Sequence, residues 1–282
     1  MIRNGLLEAY NNELLDSLKR GAQVRVTKEE MEDWLAQGNK LHFIGHHCVL
    51  NPASKSTPVR KVSDSSMKNN FTGPSLNQCI PKGPNALTSL LDVLFRWRTY
   101  KVAIVLDLSK AYHSVHTGVA EKFLRLEVWR WGDETREWEV FGYVRVAFGD
   151  LIASLILEIA KLMASELGVE LGLDDEAARK LIRDFYVDDG VSGSDEENAK
   201  KLIGNLTVME DGKLRYDGTF SEILALAGFK PKAIIRSGEN HPAALEKLGR
   251  VLGHDWSPLE DTLTFQYNFK IKDKNPRKDD SL

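Results

Sequence analysis

Cysteine is scarce in this chain, whose 282 residues include only Cys48 and Cys79. The two lie far apart, and no second cysteine or histidine pair stands at the spacing of a zinc site. The neighbouring residues His46 and His47 therefore indicate a structural strand and not a zinc site. So few cysteines argue against a disulfide-dense scaffold, and the simplest expectation is a reducing intracellular compartment.

Long uninterrupted apolar runs are also absent. The most apolar stretch, 151–164, contains Ser154, Glu158 and Lys161, so it predicts a buried helix and not a membrane span. Residues 1–5 lack the apolar core of a signal peptide, and we expect no membrane partner. A hydrophobic content of 42% and a charged content of 28% are typical of a soluble globular protein with one large domain or two subdomains.

An excess of basic charge is missing as well. The 38 lysines and arginines are outnumbered by 41 aspartates and glutamates, which gives a formal net charge of −3. Proteins that bind nucleic acid usually carry a basic surface that neutralises phosphates. The charge balance therefore argues against tight, non-specific binding of nucleic acid, although it leaves room for a local basic groove.

The spacing of apolar residues predicts helices and antiparallel hairpins in mixed order, which indicates the α+β class. The helices are predicted at 6–20, 27–37, 85–98, 150–167, 174–183, 194–206 and 219–227. Capping-box pairs, Thr27 with Glu30 and Ser194 with Glu197, open two of them. Hairpins are predicted at 41–62, 120–146, 207–218 and 251–269, with a loop at 63–84 and a charged tail from residue 270.

Three aspartates carry the strongest chemical signal. Asp188 and Asp189 stand at the predicted tip of a hairpin, between an apolar strand at 185–187 and the segment 190–193. Asp107 ends a second apolar strand, 102–106. If the two strands meet in space, their carboxylates could hold divalent cations for phosphoryl transfer. An ordinary strand-end cap and a solvated turn are the structural alternative.

Eight segments, in this order, resemble the motifs of a reverse transcriptase, and among these enzymes the polymerase domain of BEL/Pao-type long-terminal-repeat retrotransposons. The resemblance covers roughly residues 40–270, and the segments lie at 41–49, 56–66, 73–84, 105–115, 148–149, 186–189, 227–232 and 251–256. It implies a right-hand polymerase core of fingers and palm, with an antiparallel palm sheet backed by helices. Such an enzyme adds deoxynucleotides to a primer 3′ end.

The resemblance implies a site that uses two Mg²⁺ ions, with Mn²⁺ as a possible substitute. Asp107 and Asp188 would be the principal ligands, Asp189 a conditional one, and the backbone carbonyl of Leu108 a further oxygen. One ion would lower the pKa of the primer 3′-hydroxyl, and the other would neutralise the leaving pyrophosphate.

The nucleotide pocket implied by the resemblance is built from side chains of several segments, namely Arg60, Tyr112, Phe148, Gly149 and Lys232. Arg60 would bind the triphosphate, with Lys55 and Lys61 read as surface lysines. Tyr112 would exclude a ribose 2′-hydroxyl, and Phe148 with Gly149 would form the floor of the pocket. Lys232, or in its place Lys230, would act as general acid. In the family a Ser-Pro pair follows this glycine, whereas residues 150–154 of this chain read Asp-Leu-Ile-Ala-Ser. The position of the following helix is therefore open.

The template-primer would be RNA or DNA template paired with a DNA primer. Tyr186, Leu252, Gly253 and His254 would contact the primer, although hairpin packing explains the last three equally well. The predicted division is fingers at 1–106, palm at 107–247 with 120–146 partly in the fingers, and primer-grip hairpin with tail at 248–282. The thumb and ribonuclease H domains are expected to be missing, and the parent polyprotein to act in a cytoplasmic particle. The oligomeric state does not follow from the sequence.

Two other functions compete with the polymerase. One is a catalytically silent, domesticated module that binds nucleic acid or protein, which the acidic balance and the altered residues after Gly149 favour. The other is a metal-dependent nuclease, in which the acids would converge without Tyr112 and Arg60 facing the same pocket.

Overall fold

The structure is a computed structural model that describes residues 6–51, 58–68, 73–241 and 250–264. The α-helices within these residues are α1 Leu6–Lys19, α2 Lys28–Ala36, α3 Leu76–Cys79, α4 Leu90–Trp97, α5 Ala153–Glu170, α6 Asp175–Arg183, α7 Glu196–Ile203 and α8 Thr219–Leu226. The strands are β1 Gln23–Val26, β2 Gly45–Leu50, β3 Val59–Asp64, β4 Val102–Leu108, β5 Leu126–Trp129, β6 Glu139–Tyr143, β7 Phe185–Tyr186, β8 Asp189–Ser194, β9 Leu206–Val208, β10 Leu214–Tyr216, β11 Pro231–Arg236, β12 Arg250–Val251, β13 His254–Ser257 and β14 Thr262–Thr264.

A four-stranded antiparallel sheet in the order β11-β4-β8-β7 forms the centre of the fold. The central strand β4 is almost wholly buried because both faces of the sheet are covered. Successive side chains of a strand point to opposite faces. Ile104 and Leu106 accordingly pack into a cluster with α5, α6, α7 and α8, whereas Ala103 and Val105 pack against α4 and the β12-β13-β14 sheet.

A second body of structure is built from elements that come both before and after β4 in the chain. The β2–β3 hairpin and the β1-β6-β5 sheet are joined by a bridge between Phe43 and Leu126. Helix α1 covers them, with Tyr10 and Leu14 packed against an apolar cluster that includes Trp129. The turn of the hairpin, at 52–57, lies outside the described residues.

The predicted mixture of helices and antiparallel strands is confirmed, and so is the capping box of Thr27 with Glu30. The prediction that Ser194 caps α7 is wrong, because Ser194 is the last residue of β8 and pairs with Val102. Asp195 caps the helix instead, where its carboxylate accepts the amide of Asn198. Helix α4 begins at Leu90 and not at 85, behind a cap supplied by Ser89.

Two other predicted elements differ from the structure. Helix α5 is buried on one face only, and Ile159, Leu162 and Met163 are exposed on the other. The final hairpin is a three-stranded sheet in which β13 pairs with both β12 and β14, and residues 265–269 lie outside the described part. In the described part of the chain, no helix combines the length and the apolar character needed to cross a membrane. The predicted subdomain boundary at 106/107 falls inside β4.

Candidate functional site at one end of the central sheet

The three predicted aspartates lie at the same end of the central sheet. Asp107 stands directly opposite Asp189 in the register of β4 and β8. Asp188 occupies the two-residue turn that joins β7 to β8. Burial raises the pKa of the Asp188 carboxyl, and the negative charge of Asp107 raises it further. The carboxylates of Asp107 and Asp188 are therefore within electrostatic reach of each other.

The backbone carbonyl of Leu108 is directed to the same place. The amide of Ser109 donates to Lys230 on the β11 side of β4. Because the backbone groups of successive residues in an antiparallel strand point to opposite sides, the carbonyl of Leu108 points to the β8 side, where Asp188 follows in the register. Two carboxylates and one carbonyl oxygen thus share this end of the sheet.

This donor set fits Mg²⁺ in its chemistry. Among the residues that the structure describes, no three histidine, cysteine, aspartate or glutamate side chains form a group that could hold a metal ion, so Asp107, Asp188 and Asp189 together do not form one. Mg²⁺ is commonly held by one or two carboxylates, with water and substrate phosphates completing its octahedron. A cation would also relieve the repulsion that raises the pKa of Asp188. The Nζ of Lys232 lies 3.6 Å from Oδ2 of Asp107, so its positive charge offsets part of this repulsion.

The turn that carries Asp188 is conformationally strained. Val187 has a φ of +58°, in the left-handed region that β-branched residues rarely adopt. Its carbonyl accepts a hydrogen bond from Nζ of Lys161 at 2.6 Å. Lys161 in turn is paired with Glu158, at 2.8 Å, on the buried face of α5. Sequence reasoning assigned this pair no role beyond interrupting an apolar run, although two opposite charges three residues apart inside such a run were a usable signal.

Tyr112 and Phe148 are brought together by the fold. Their ring centroids lie 5.4 Å apart in an edge-to-face arrangement. The hydroxyl of Tyr112 is 3.4 Å from Oγ of Ser154 on α5. Burial raises the pKa of Tyr112, and the charges of Asp188 and Glu158 raise it further. Because Tyr112 responds to the charge of Asp188, the two aromatic rings stand beside the acidic end of the sheet.

Gly149 is needed for its contact with β3. Its φ is +115°, and a Cβ at this position would lie 2.5 Å from the carbonyl oxygen of Ser63. Asp150, the first residue that departs from the family's pattern, has a buried carboxylate that accepts from Nε of Arg125 and from the Ser65 hydroxyl, both at 2.5 Å. The departure is thus part of a buried polar network that ties the start of α5 to β3.

Arg20, Arg60 and Lys232 come from separate elements and lie within electrostatic reach of Lys110, and Lys232 also pairs with Asp107. Lys110 has a lowered pKa, first because it is partly buried and then because of the positive charges of Arg20, Arg60 and Lys232. Arg20 follows α1, and Lys110 has a left-handed backbone with a φ of +50°. Arg60 and Lys232 were predicted from the sequence as site residues, whereas Lys110 and Arg20 were not. Lys110 lies within the segment 105–115 and could have been found there, whereas nothing in the sequence links Arg20 to the site.

Lys61 is not the surface lysine that was predicted. Its side chain is 5% exposed and that of Glu127 is 0% exposed, and the two form an ion pair of 2.5 Å. Lys61 also donates to the Tyr143 hydroxyl at 2.8 Å. Lys61 belongs to a buried polar network with Glu127, Ser63 and Tyr143 between β3, β5 and β6, which removes it from the candidate phosphate ligands. Lys55 lies outside the described residues.

The other predicted residues occupy the two hairpins. Tyr186 pairs with Asp189 in the register of β7 and β8. Leu252 and Gly253, both with positive φ, form the turn between β12 and β13, and His254 opens β13. Leu252 also packs against the core on the α4 side of the sheet. His46 has both ring nitrogens within hydrogen-bond distance of protein atoms, at 2.6 Å from the Tyr10 hydroxyl and 3.0 Å from the Val128 carbonyl, which fits a structural histidine.

Comparison with known proteins gives the fold. The chain matches no protein family and no curated protein by sequence. Among solved structures it is similar to a foamy viral protease-reverse transcriptase in complex with double-stranded DNA, with 16% identity, a TM-score of 0.51 and 79% of this chain covered. It is also similar to the native protease-reverse transcriptase of prototype foamy virus, with 14% identity, a TM-score of 0.51 and 81% covered. The chain spans 31% and 24% of those two chains. The likeness shows a reverse-transcriptase-like fold.

Proposed function

We propose that this chain is the fingers–palm core of an RNA-directed DNA polymerase, of the BEL/Pao retrotransposon type that its motifs resemble. One observation carries the proposal: Asp107 lies opposite Asp189 and is near enough to Asp188 to raise its pKa, in a reverse-transcriptase-like fold. The location in a cytoplasmic retrotransposon particle rests on the motif resemblance alone.

Asp107, Asp188 and the Leu108 carbonyl would hold Mg²⁺, with Asp189 as a conditional ligand and Mn²⁺ as a substitute. When bound, the metal would lower the pKa of the primer 3′-hydroxyl and neutralise the leaving pyrophosphate. Asp107 and Asp189 stand on paired strands of one sheet and Asp188 stands in the adjoining two-residue turn, which restricts the movement of their carboxylates. Without the cation, the pKa of the Asp188 carboxyl stays raised, because burial and the charge of Asp107 disfavour its ionised form.

The cations around Lys110 would bind the triphosphate of the incoming nucleotide. Arg60 and Lys110 would neutralise phosphate oxygens, and Arg20 would add positive charge from the side of α1. Lys232 is placed against Asp107, which suits a general acid that protonates pyrophosphate, and Lys230 is the alternative. A local cluster of this kind agrees with a formal net charge of −3 for the chain.

Tyr112 and Phe148 would form the wall and floor of the sugar pocket. The Tyr112 ring, packed edge-to-face on Phe148, would clash with a ribose 2′-hydroxyl and so favour deoxynucleotides. We expect Tyr112→Val to reduce discrimination against ribonucleotides by at least about tenfold, the effect of a contact worth 1.4 kcal/mol. Tyr112→Phe, which keeps the ring, is the control and should discriminate as the wild type does.

The macromolecular partner would be an RNA or DNA template with a DNA primer. The foamy viral structure contains double-stranded DNA, which supports nucleic acid as the class of partner. Tyr186 from β7, and Leu252, Gly253 and His254 from the turn between β12 and β13, would contact the primer.

Primer extension with Mg²⁺ tests the proposal. Asp188→Asn should lower the extension rate at least about a hundredfold, the usual loss when one group that stabilises transition-state charge is removed. Asp33→Asn is the matched control, since Asp33 is an exposed residue of α2, and it should extend as the wild type does. Degradation of the primer would favour the nuclease instead. Binding without extension or degradation would favour the catalytically silent module.

A further inference from the structure

A buried ion pair in α5 contacts the peptide units on both sides of Val187. The side chains of Lys161 and Glu158 are 1% and 9% exposed, and Nζ lies 2.8 Å from Oε1. Lys161 donates to the Val187 carbonyl at 2.6 Å, and the Val187 amide lies close enough to the Glu158 carboxylate to lower the pKa of that carboxyl. The Lys161 ammonium also lies 4.9 Å from the centroid of the buried Phe185 ring in β7. The pair thus holds the Val187 carbonyl through Lys161 and keeps a carboxylate beside the Val187 amide.

This arrangement has a physical reason in the conformation of Val187. A β-branched residue in the left-handed region is strained, and such strain persists only where the surroundings impose it. The turn has only two residues, Val187 and Asp188, so a change of the Val187 backbone would move Asp188 directly. A hydrogen bond from the ammonium group of an ion pair on a rigid helix is well suited to prevent that change.

We propose that Glu158 and Lys161 are positioning residues that hold Val187 in its left-handed conformation and thereby set the carboxylate of Asp188 against Asp107. The effect on the turn follows from the contacts alone, and the effect on catalysis rests on the proposed polymerase function. Lys161 acts on Asp188 in two ways, because it holds the turn through the Val187 carbonyl and its positive charge also lowers the pKa of the Asp188 carboxyl. The alternative is an ion pair that only fills the interior beneath the sheet.

A rescue experiment separates these two roles. Glu158→Gln and Lys161→Met are combined, because either substitution alone would leave an uncompensated buried charge. The combined variant should exchange the backbone amides of 187–189 at least about tenfold faster, as expected for a weakened local structure. Val187→Gly, which adopts the left-handed conformation without strain, should remove most of this acceleration when it is added.

The comparison forms a double-mutant cycle between the ion pair and residue 187. Equal acceleration with valine and with glycine at position 187 would overturn the proposal, since the pair would then act independently of the strained backbone. The exposed pair of Arg179 and Asp175 on α6, at 3.2 Å, is the matched control. Arg179→Met combined with Asp175→Asn should leave exchange at 187–189 unchanged.

Activity and metal binding give the second readout. Loss of the Glu158–Lys161 pair should lower kcat about ten- to a hundredfold, as expected for a small misplacement of a reacting group, with little change in the KM for nucleotide. Mn²⁺ binding, followed by electron paramagnetic resonance without substrate, should weaken in parallel. Unchanged kcat and Mn²⁺ affinity in the combined variant would overturn the positioning of Asp188. If the wild type neither extends primers nor binds Mn²⁺, the polymerase proposal fails, and the exchange cycle still decides the role of the pair at Val187.

Discussion

At the scale of single residues, buried charge is a recurrent feature of this protein. Ion pairs with buried side chains tie β3 to β5, the start of α5 to Arg125, and α5 to the turn of Val187. Removing one partner of such a pair leaves a charge in an interior that solvates it poorly. The substitution therefore destabilises the fold by more than the intact pair stabilises it. Each pair is therefore a position where a single substitution has a large effect.

Lys61→Met should destabilise the fold by about 3–5 kcal/mol, because Glu127 would remain buried without its cation. Urea unfolding followed by circular dichroism measures the change. Lys28→Met is the control, since Lys28 and its partner Glu32 are 80% and 62% exposed, and it should change stability by no more than about 0.5 kcal/mol. A similar loss in the two variants would show that burial of Glu127 is not the cause.

At the scale of elements, the contact between β3 and the turn before α5 depends on a residue without a side chain. Gly149→Ala should cost at least about 2 kcal/mol, because the added methyl meets the Ser63 carbonyl and the backbone has a positive φ. Gly172→Ala isolates the contribution of the backbone, since Gly172 also has a positive φ of +78° but open space around it. Gly172→Ala should lower the free energy of unfolding by about 1 kcal/mol, measured by thermal unfolding. Equal costs would remove the contact with Ser63 as an explanation.

The elements also show what the sequence could and could not predict. Periodicity and capping located most helices and hairpins, because these signals are local. The cap of α7 was misassigned by one residue, since only pairing with Val102 shows that Ser194 belongs to β8. In the candidate site, the acids were predicted from strand ends and a turn. The place of Arg20 near Lys110 and the burial of Lys61 were not predicted, because both depend on contacts between residues far apart in the chain.

At the scale of the whole molecule, the central sheet is covered on both faces, by four helices on one and by α4 with the β12-β13-β14 sheet on the other. Trp256 joins the second cover to the rest: it is 2% exposed, and its ring centroid lies 5.2 Å from that of Trp97. Trp256→Ala should cost about 3–5 kcal/mol in urea unfolding. Trp138→Ala, at a ring 61% exposed and stacked by Arg130, should cost about 1 kcal/mol or less. Comparable costs would contradict the role of Trp256 in the packing.

The stability of the whole molecule should also depend on His113. Burial, together with the positive charges of Arg20, Lys110, Lys61 and Arg145, lowers the pKa of His113 to about 3. The imidazole is therefore neutral in the folded state, while in the unfolded state it binds a proton below about pH 6.5. The contribution of the neutral His113 imidazole to stability is fully present above that pH, and it is lost as the pH falls toward the folded-state pKa.

Between pH 7 and pH 5 the free energy of unfolding of the wild type should accordingly fall by about 2 kcal/mol more than that of His113→Gln. The figure corresponds to the interval of about 1.5 pH units between the unfolded-state pKa and pH 5, at about 1.36 kcal/mol each. Urea unfolding at the two pH values measures this difference, and the other titrating groups are common to both proteins. Parallel losses of stability would show that His113 is protonated to the same extent in the folded and unfolded states.

The order of strands in the central sheet has one more consequence. Its outer strands are β7, which has two residues, and β11, which begins with Pro231 and has an irregular register before Ala233. A long, regular row of unpaired amides on an outer strand is what lets copies of a protein join edge to edge into aggregates. Proline cannot donate a hydrogen bond, and a two-residue strand offers too few. The longest and most apolar strand, β4, is thus kept between neighbours of its own chain, which protects the molecule against self-templated aggregation.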